Sequence, residues 1–462
     1  MEVITRFAPS PTGLLHIGGA RTALFNYLFA RHHYGRFLIR IEDTDKERST
    51  NKAVEAIFDG LKWLGLEGDE PAIFQSNNIN RHKKIANKLI NSNLAYRCFL
   101  SNSEIEIIRN QNKKEGKPFR SPWRNPDHKG NKYEKPVLRL RMPEHGYTLI
   151  KDIVQGDVKV DNRQLDDLVL LRSDDTPTYM LAVVVDDHDM NITHIIRGDD
   201  HLNNAIRQIK IYEALNWTPP IFGHIPLIHG SDGTKLSKRH GAIGVDAYKN
   251  MGIYPEAMNN YLSRLGWSHG NDEYFSMTQA ISWFDGSSIG RSSSRFDMQK
   301  LVAVNGYWLK KQSFENLYKQ ILAHHSLKEN KQVSIHFKKR FKVLLPHLLE
   351  RFSIISELTS KINYIIYDGC PEIEDEVANL ITKESCIILK SFSKIIEKSP
   401  NNAESFEIFI NNWLSDQELK MKDLGIPLRI ALTGSKSAPA IFALIQSLGF
   451  EEVKLRINQI CI

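Results

Sequence analysis

The N-terminal residues commit the chain to a parallel βαβ crossover. Val3–Phe7 is a short apolar-rich run, and Ala8–Gly13 (APSPTG) is a Pro/Ser/Gly loop that cannot continue a strand. From Ile17 to Tyr34 the apolar residues Ala20, Leu24, Leu28 and Phe29 recur every three to four positions, and Gly35 supplies a stop. Phe37–Ile41 reads as a second strand and Lys52–Leu64 as a second helix. Strand, helix and strand in that order require a parallel crossover with the helix on one face of a sheet.

Residues 72–180 interrupt that pattern. The stretch 111–135 is rich in Pro, Gly, Lys and Asn and reads as a surface excursion, after which strand-like runs return at Val137–Arg141, Leu168–Arg172 and Met180–Val185. βαβ character resumes with a strand over Ile192–Arg197 and a helix over Asn203–Leu215, so residues 72–180 are expected to be an insertion splitting one α/β domain. Beyond Leu301 turn clusters thin out and 3.6-residue periods dominate, as in 376–395 and 403–421, which predicts an all-helical final third. Within it Pro439 marks a helix start and Gly449 a stop. The fold class is therefore α/β followed by all-α, and 462 residues accommodate two to four domains at roughly 100–200 residues each.

Composition removes several alternatives. With 41% apolar and 25% charged residues the chain is neither largely disordered nor collagen-like. No apolar run approaches the ~18 residues that span a bilayer, and MEVITRFAPSP lacks a secretory signal's order, so a cytoplasmic protein without membrane attachment is expected. Cys98, Cys370, Cys386 and Cys461 stand far apart, which argues against a disulfide framework or a Cys-rich zinc site. The net charge of +7 is diffuse, but residues 301–350 hold nine Lys/Arg (310, 311, 319, 328, 331, 338, 339, 340 and 342) against three Asp/Glu. A polyanion is the partner such a segment would meet.

Two constellations carry chemistry. RFAPSPTGLLHIGG at 6–19 is a strand, a small-residue loop and a helix start, with His16, Gly18 and Gly19 where unpaired amides and the positive helix end favour phosphate. SDGTKLSKRHG at 231–241 sets Lys235, Lys238 and Arg239 on a Gly/Ser-rich loop, a cationic clamp for a breaking phosphate ester.

Together, in this order, the two motifs resemble the paired nucleotide-binding elements of class I aminoacyl-tRNA synthetases. The flanking stretches at 6–31, 40–49 (RIEDTDKERS), 179–202 (YMLAVVVDDHDMNITHIIRGDDHL), 233–242 and 428–449 narrow the resemblance to the glutamyl-tRNA synthetase family over essentially the whole chain. The resemblance implies a Rossmann-type catalytic domain (1–71 and 181–240), an inserted acceptor-end subdomain (72–180), a stem-contact region (241–309) and a helical anticodon-binding region (310–462). It implies that His16, Lys235 and Lys238 are catalytic, and that ATP meets Ser10, His16, Gly18, Gly19, Asp200, Lys235, Ser237 and Lys238. Glutamate falls to Arg6, Ala8, Ser10, Glu42, Tyr179 and Arg197, and the tRNA acceptor end to Asp45 and Arg48. Mg²⁺ is expected chiefly on the ATP phosphates, and the partners are glutamate, ATP and tRNA(Glu), with tRNA(Gln) left open, acting on a monomer.

The residues support a glutamate pocket independently. The substrate offers one ammonium and two carboxylates, so its pocket needs a carboxylate and more than one cation. Glu42 closes the second strand, where ligands of parallel sheets bind, and Arg197 follows THIIR and can offer a planar fork. Glutamine would leave that guanidinium unpaired. Some family members carry a zinc knuckle in the insertion. Here Cys98 and His128 alone cannot build four ligands, so no zinc is expected. Four alternatives are a catalytically inactive tRNA-binding paralogue, a glutamyl-queuosine tRNA synthetase-like enzyme, glutaminyl-tRNA synthetase and a small nucleotidyltransferase sharing the ATP site, the last disfavoured by the chain's length. Intact His16, Lys235 and Lys238 argue against the first, the helical final third against the second, and its lack of β pattern against the third.

Overall fold

The computed structural model describes residues 2–45, 48–130, 132, 135–230, 232–234, 236, 243–328 (backbone only for 326–328) and 332–461. The chain divides into two compact units, Met1–Asn250 with Pro255–Leu301 and Met251–Tyr254 with Val302–Ile462.

In chain order the first unit contains β1 (Ile4–Phe7), α1 (Ile17–His32), β2 (Arg36–Ile41), α2 (Asn51–Leu64), β3 (Ile73–Phe74), α3 (Ile79–Asn91), β4 (Ala95–Cys98) and α4 (Asn102–Glu115). Next come β5 (Val137–Leu140), β6 (Tyr147–Asp152), β7 (Gly156–Asp161), β8 (Val169–Leu171), α5 (Tyr179–Asp189), β9 (His194–Gly198), α6 (Leu202–Ala214), β10 (Ile221–Ile225) and β11 (Ile228–His229). It ends with α7 (Val245–Met251), α8 (Pro255–Arg264), α9 (Met277–Trp283) and β12 (Ser294–Arg295).

β1 pairs parallel with β2 (Ile4↔Arg36 to Phe7↔Ile39), and β2 with β3. On its other side β1 meets the approach to β9, where Thr193 N–H donates to the Ile4 carbonyl at 2.9 Å. β9 pairs parallel with β10. β1 is buried throughout, which is why its side chains do not alternate. α1 is buried almost all round, including Ile17, Ala20, Leu24, Phe25 and Leu28, so its packing rather than an amphipathic stripe holds it. α2 starts on the Thr50 hydroxyl, which accepts from Ala53 N–H, and stops at Gly65 in the left-handed region (φ 70°).

Within residues 72–180, β4, β5 and β8 form an antiparallel sheet, while β6 and β7 form a hairpin whose end pairs with β10 at Asp152↔Phe222. β6 buries every second residue, but the buried positions include Thr148 and Asp152 and the exposed ones Tyr147 and Leu149. Its polarity therefore runs against its burial, which hides the strand from a pattern reading. Two expectations need correction. Met180–Val185 is helical, part of α5, because a short buried apolar run fits a core helix as well as a core strand. The excursion starts later than expected: α4 runs to Glu115, nucleated by a Ser101–Glu104 capping box, with none of its residues buried. One apolar cluster, from Ile4 and Leu38 through Leu140 and Val184 to Ile206 and Phe222, underlies these elements.

Among its described residues every regular element of the second unit is helical, including Phe337–Arg351, Lys383–Ser393, Ala403–Asp416, Met421–Thr433, Ile441–Leu448 and Phe450–Ile460. The period read over 376–395 is broken into Asp375–Ala378 and Lys383–Ser393, and that over 403–421 ends where Glu418 adopts φ 56°. Gly449 ends Ile441–Leu448 at φ 83°. Of the basic segment, Lys310, Lys311, Lys319, Lys338, Lys339 and Lys342 are exposed, but Arg340 is buried and ion-paired, a correction to its place on a phosphate-facing surface. No described helix is long and apolar enough to cross a membrane.

Candidate active site

The first motif is built around a histidine cap. His16, extended at φ −81°, ψ 161°, precedes α1, and its Nδ1 accepts from Gly19 N–H at 3.2 Å. With Nδ1 as acceptor, the neutral ring carries its proton on Nε2, and that N–H is a donor on an exposed side chain. A Cβ on Gly18 would lie 3.1 Å from two atoms of this ring, so Gly18 makes room for the imidazole. The cap leaves the other first-turn amides at the positive end of α1.

The second motif is anchored on both sides. Leu236 N–H donates to the Ile228 carbonyl at 3.1 Å. Downstream, Gly244 bridges antiparallel to His16, and Val245 N–H donates to the Leu15 carbonyl at 2.9 Å. A Cβ on Gly244 would fall 2.7 Å from Leu14 Cβ, so this approach requires glycine. Chain segments more than two hundred residues apart thus meet beside the helix start. Lys235, Ser237, Lys238 and Arg239 lie outside the described residues.

A buried charge cluster lies at the carboxyl ends of β1, β2 and β9. Asp187 of α5 accepts from Arg6 Nε at 3.1 Å and from Arg40 Nη1 at 2.6 Å. Arg40 also donates to Glu42 Oε1 at 3.2 Å. Burial pushes the Asp187 carboxyl up, but Arg40 and Arg6 outweigh it and hold it below the usual range. Burial dominates at Glu42 and raises its pKa despite Arg40 and Arg6. The loop carrying Ala8 and Ser10 is tied to this corner by Glu42 N–H donating to the Pro9 carbonyl at 2.9 Å; Ser10 itself is exposed.

Arg197, 6% exposed, differs from its neighbours. Nε donates to His224 Nε2 at 3.2 Å, Nη2 to Gln208 Oε1 at 2.8 Å and the His201 carbonyl at 3.4 Å, and Nη1 to the Tyr179 hydroxyl at 3.4 Å. All four acceptors are uncharged. Tyr179 OH also meets His201 Nδ1 at 3.2 Å. Burial lowers the His201 pKa to about 4, with Arg197 adding to the effect, and lowers the Arg197 pKa as well. Thus two guanidiniums and two carboxylates pair around Asp187, and among the described residues the third guanidinium, Arg197, has no carboxylate within hydrogen-bond distance.

The remaining predicted residues fall apart from this cluster. Asp45 and Arg48 form an exposed ion pair at 2.8 Å. Asp200 is exposed in the turn Asp199–His201 that opens α6. Asp43 accepts from Ser76, and Asp186 from His82, Gln75 and Asn78. No group of three or more His, Cys, Asp or Glu suited to a metal occurs among the described residues. Sequence reasoning missed Arg40, Gln208, His224 and Asp152. A charge inside an otherwise apolar strand, RFLIRI, was the one available signal for Arg40; the other three become partners only through the sheet.

Residues 2–303 match the family described as tRNA synthetases class I (E and Q), catalytic domain, and residues 311–461 match the one described as anticodon binding domain. A protein of Parvibaculum lavamentivorans named glutamate–tRNA ligase 2 is 48% identical over 460 residues, covering 99% of this chain and 94% of its own. One from Rhodospirillum rubrum with the same name is 48% identical over 462 residues, covering 99% of both chains. The crystal structure of a glutamate tRNA ligase from Elizabethkingia meningosepticum in complex with its amino acid superposes with a TM-score of 0.87 at 29% identity, covering 100% of this chain and 99% of that one.

Proposed function

The chain belongs to the class I tRNA synthetases as a glutamate–tRNA ligase, and from that premise we propose how its own residues divide the work. The observation that carries the assignment is Arg197, a buried guanidinium with four uncharged partners beside a balanced Arg6–Asp187–Arg40–Glu42 cluster. Glutamate brings one net negative charge to a pocket whose Arg197 has no carboxylate among its own hydrogen-bond partners. Arg197 takes the side-chain carboxylate. Glu42 takes the ammonium, whose arrival offsets the burial that raises the Glu42 pKa. Tyr179 and Ser10 complete the pocket, with the Ala8 backbone at its edge.

The α-carboxylate attacks the α-phosphorus of ATP in line, forming glutamyl-adenylate as pyrophosphate leaves. A terminal ribose hydroxyl of tRNA then attacks the glutamyl carbonyl, and AMP departs. His16 Nε2–H and the amides opening α1, with Gly18 and Gly19, stabilise phosphoryl oxygens. Lys235, Ser237 and Lys238 meet the charge that develops on the departing pyrophosphate, and Asp200 borders the nucleotide. Mg²⁺, which this class uses with ATP, would be held chiefly by the ATP phosphates and would offset their charge; of the nearby carboxylates, Asp43, Asp45, Asp186 and Asp187 are already engaged by Ser76, Arg48, His82 and two arginines. Asp45 and Arg48, paired at the surface, are the contact offered to the tRNA end.

The substrate tRNA is tRNA(Glu), and the protein works as a monomer in the cytoplasm without structural zinc; Cys98 is buried against the Ser121 hydroxyl. ATP–pyrophosphate exchange with glutamate or glutamine, in the presence of tRNA(Glu) or tRNA(Gln), followed by aminoacylation, tests the reading. Exchange and charging with glutamate and tRNA(Glu) are expected, and no exchange under any condition would overturn it. Charging of tRNA(Gln) in the same assay would widen the substrate range. Lys238→Ala is expected to keep tRNA binding and lose most of kcat. One zinc per chain by metal analysis would refute the zinc-free assignment.

A further inference from the structure

The partners of Arg197 are themselves arranged to remain uncharged. His224 and Asp152 are both buried, and His224 Nδ1 lies 2.6 Å from Asp152 Oδ2. A carboxylate only accepts, so Nδ1 carries the proton and Nε2 presents a lone pair, which receives Arg197 Nε–H at 3.2 Å. Asp152 is pinned in turn by backbone N–H groups of Val154 (2.9 Å), Gln155 (2.8 Å) and His224 (3.1 Å). Protonating Nε2 would set two donors and two cations against each other across 3.2 Å, so the arrangement requires a neutral ring. Burial lowers the His224 pKa, consistent with this.

At Nη2 of the guanidinium, Gln208 of α6 is 1% exposed and offers Oε1 at 2.8 Å. A glutamate there would have nearly the same shape and would give the buried cation an ion pair. The amide holds Arg197 in place without cancelling its charge.

We propose that Gln208 and the Asp152–His224 pair are specificity-determining positioning residues: they orient Arg197 through uncharged acceptors alone, reserving its charge for the side-chain carboxylate of the substrate. The proposal rests on the assignment of Arg197 to that carboxylate. Rejection of glutamine then depends on the absence of an anion in direct contact with Arg197 as much as on Arg197 itself. Supplying one lets a neutral amide be nearly as good a ligand as a carboxylate.

The test is ATP–pyrophosphate exchange with tRNA(Glu) on the full-length protein, comparing kcat/KM for glutamate and glutamine in Gln208→Glu, Gln208→Met and Arg197→Ala, with melting temperatures as a folding control. For Gln208→Glu the glutamate-over-glutamine ratio is expected to fall at least tenfold, chiefly through a higher KM for glutamate. For Gln208→Met both substrates weaken together and the ratio stays within about threefold, a split that loss of packing would not produce. An unchanged ratio in Gln208→Glu, with Arg197→Ala strongly impaired, overturns the inference alone. Unimpaired glutamate use by Arg197→Ala overturns the underlying assignment as well. Should Gln208→Glu not fold, ¹⁵N-histidine NMR of the unaltered protein decides: His224 is expected as the neutral Nδ1–H tautomer at neutral pH, and an imidazolium would refute the proposal.

Discussion

Both units bury arginines, and they neutralise them differently. In the second unit Arg456 donates from Nε to Glu452 Oε1 at 2.8 Å and from Nη1 to the Leu432 carbonyl at 2.6 Å. Arg340 closes on Asp368 at 2.7 Å, with Glu452 3.8 Å away. These guanidiniums meet carboxylates and carbonyls of their own chain, and they knit helices together. In the first unit Arg197 is held by a hydroxyl, an imidazole, an amide and a carbonyl, none of them anionic. Burying a charge without a counter-ion costs several kcal/mol, so such a group persists where a ligand supplies the missing anion. Arg21 marks an intermediate case. It is buried and donates to the Leu265 and Pro226 carbonyls, burial lowers its pKa to about 10, and it ties α1 to the segments after β10 and α8.

The contrast is open to direct attack. Arg197→Ala is expected to lower glutamate kcat/KM by about two to four orders of magnitude, roughly 3–5 kcal/mol, while the melting temperature holds or rises because an unneutralised charge is removed. A large loss of stability would make Arg197 structural, like its counterparts in the other unit. Glu452→Ala should do the reverse: leaving the buried Arg456 without its carboxylate destabilises that unit by about 3–5 kcal/mol in urea unfolding, and discrimination against glutamine is unaltered.

Acid should also find the uncharged surroundings of Arg197. The pKa values of His194 and His201 are pushed down to about 4, by burial first and then by His33 and Arg197 respectively. Between pH 6.5 and 4 the unfolded chain binds protons that the folded chain refuses, so their contribution makes stability fall as pH falls through that window and is flat above it. Unfolding at pH 7 and pH 5 should show this drop, and His194→Gln should reduce it. The smallest effect is expected at the surface. Neutralising the exposed Lys310, Lys339 and Lys342 should flatten the salt dependence of tRNA binding, by about 0.7–0.9 in log–log slope for each lysine that contacts phosphate. An unchanged slope would remove them from the tRNA surface.

Much of the first unit was legible from residue order. The β1–α1–β2 crossover follows from apolar spacing bounded by APSPTG and Gly35, and both motifs announce themselves through residue types that bare helix starts and loops do not need. Glu42 and Arg197 could be singled out because the chemistry of glutamate calls for such groups, and the family resemblance added Arg6 and Tyr179. Three features were not legible. α5 was read as a strand because a short buried run from Leu181 to Val185 has no exposed side to reveal its period. β6 was passed over because it buries Thr148 and Asp152 while exposing Tyr147 and Leu149. Arg340 was counted with the exposed lysines, since a charge in a basic segment reads as surface until its carboxylates are located.

Chain order and composition were sufficient for the crossover and the helical final third, because these are local: they depend on spacing, turn residues and helix ends; the pairing of the two phosphate-directed motifs followed from the family resemblance. Only the tertiary structure decided which charges cancel. Asp187 lies 181 residues from Arg6, and Asp152 72 residues from His224. A charge's free energy in a protein interior is set by what lies within a few ångströms of it, and sheet pairing, not sequence proximity, puts those groups there.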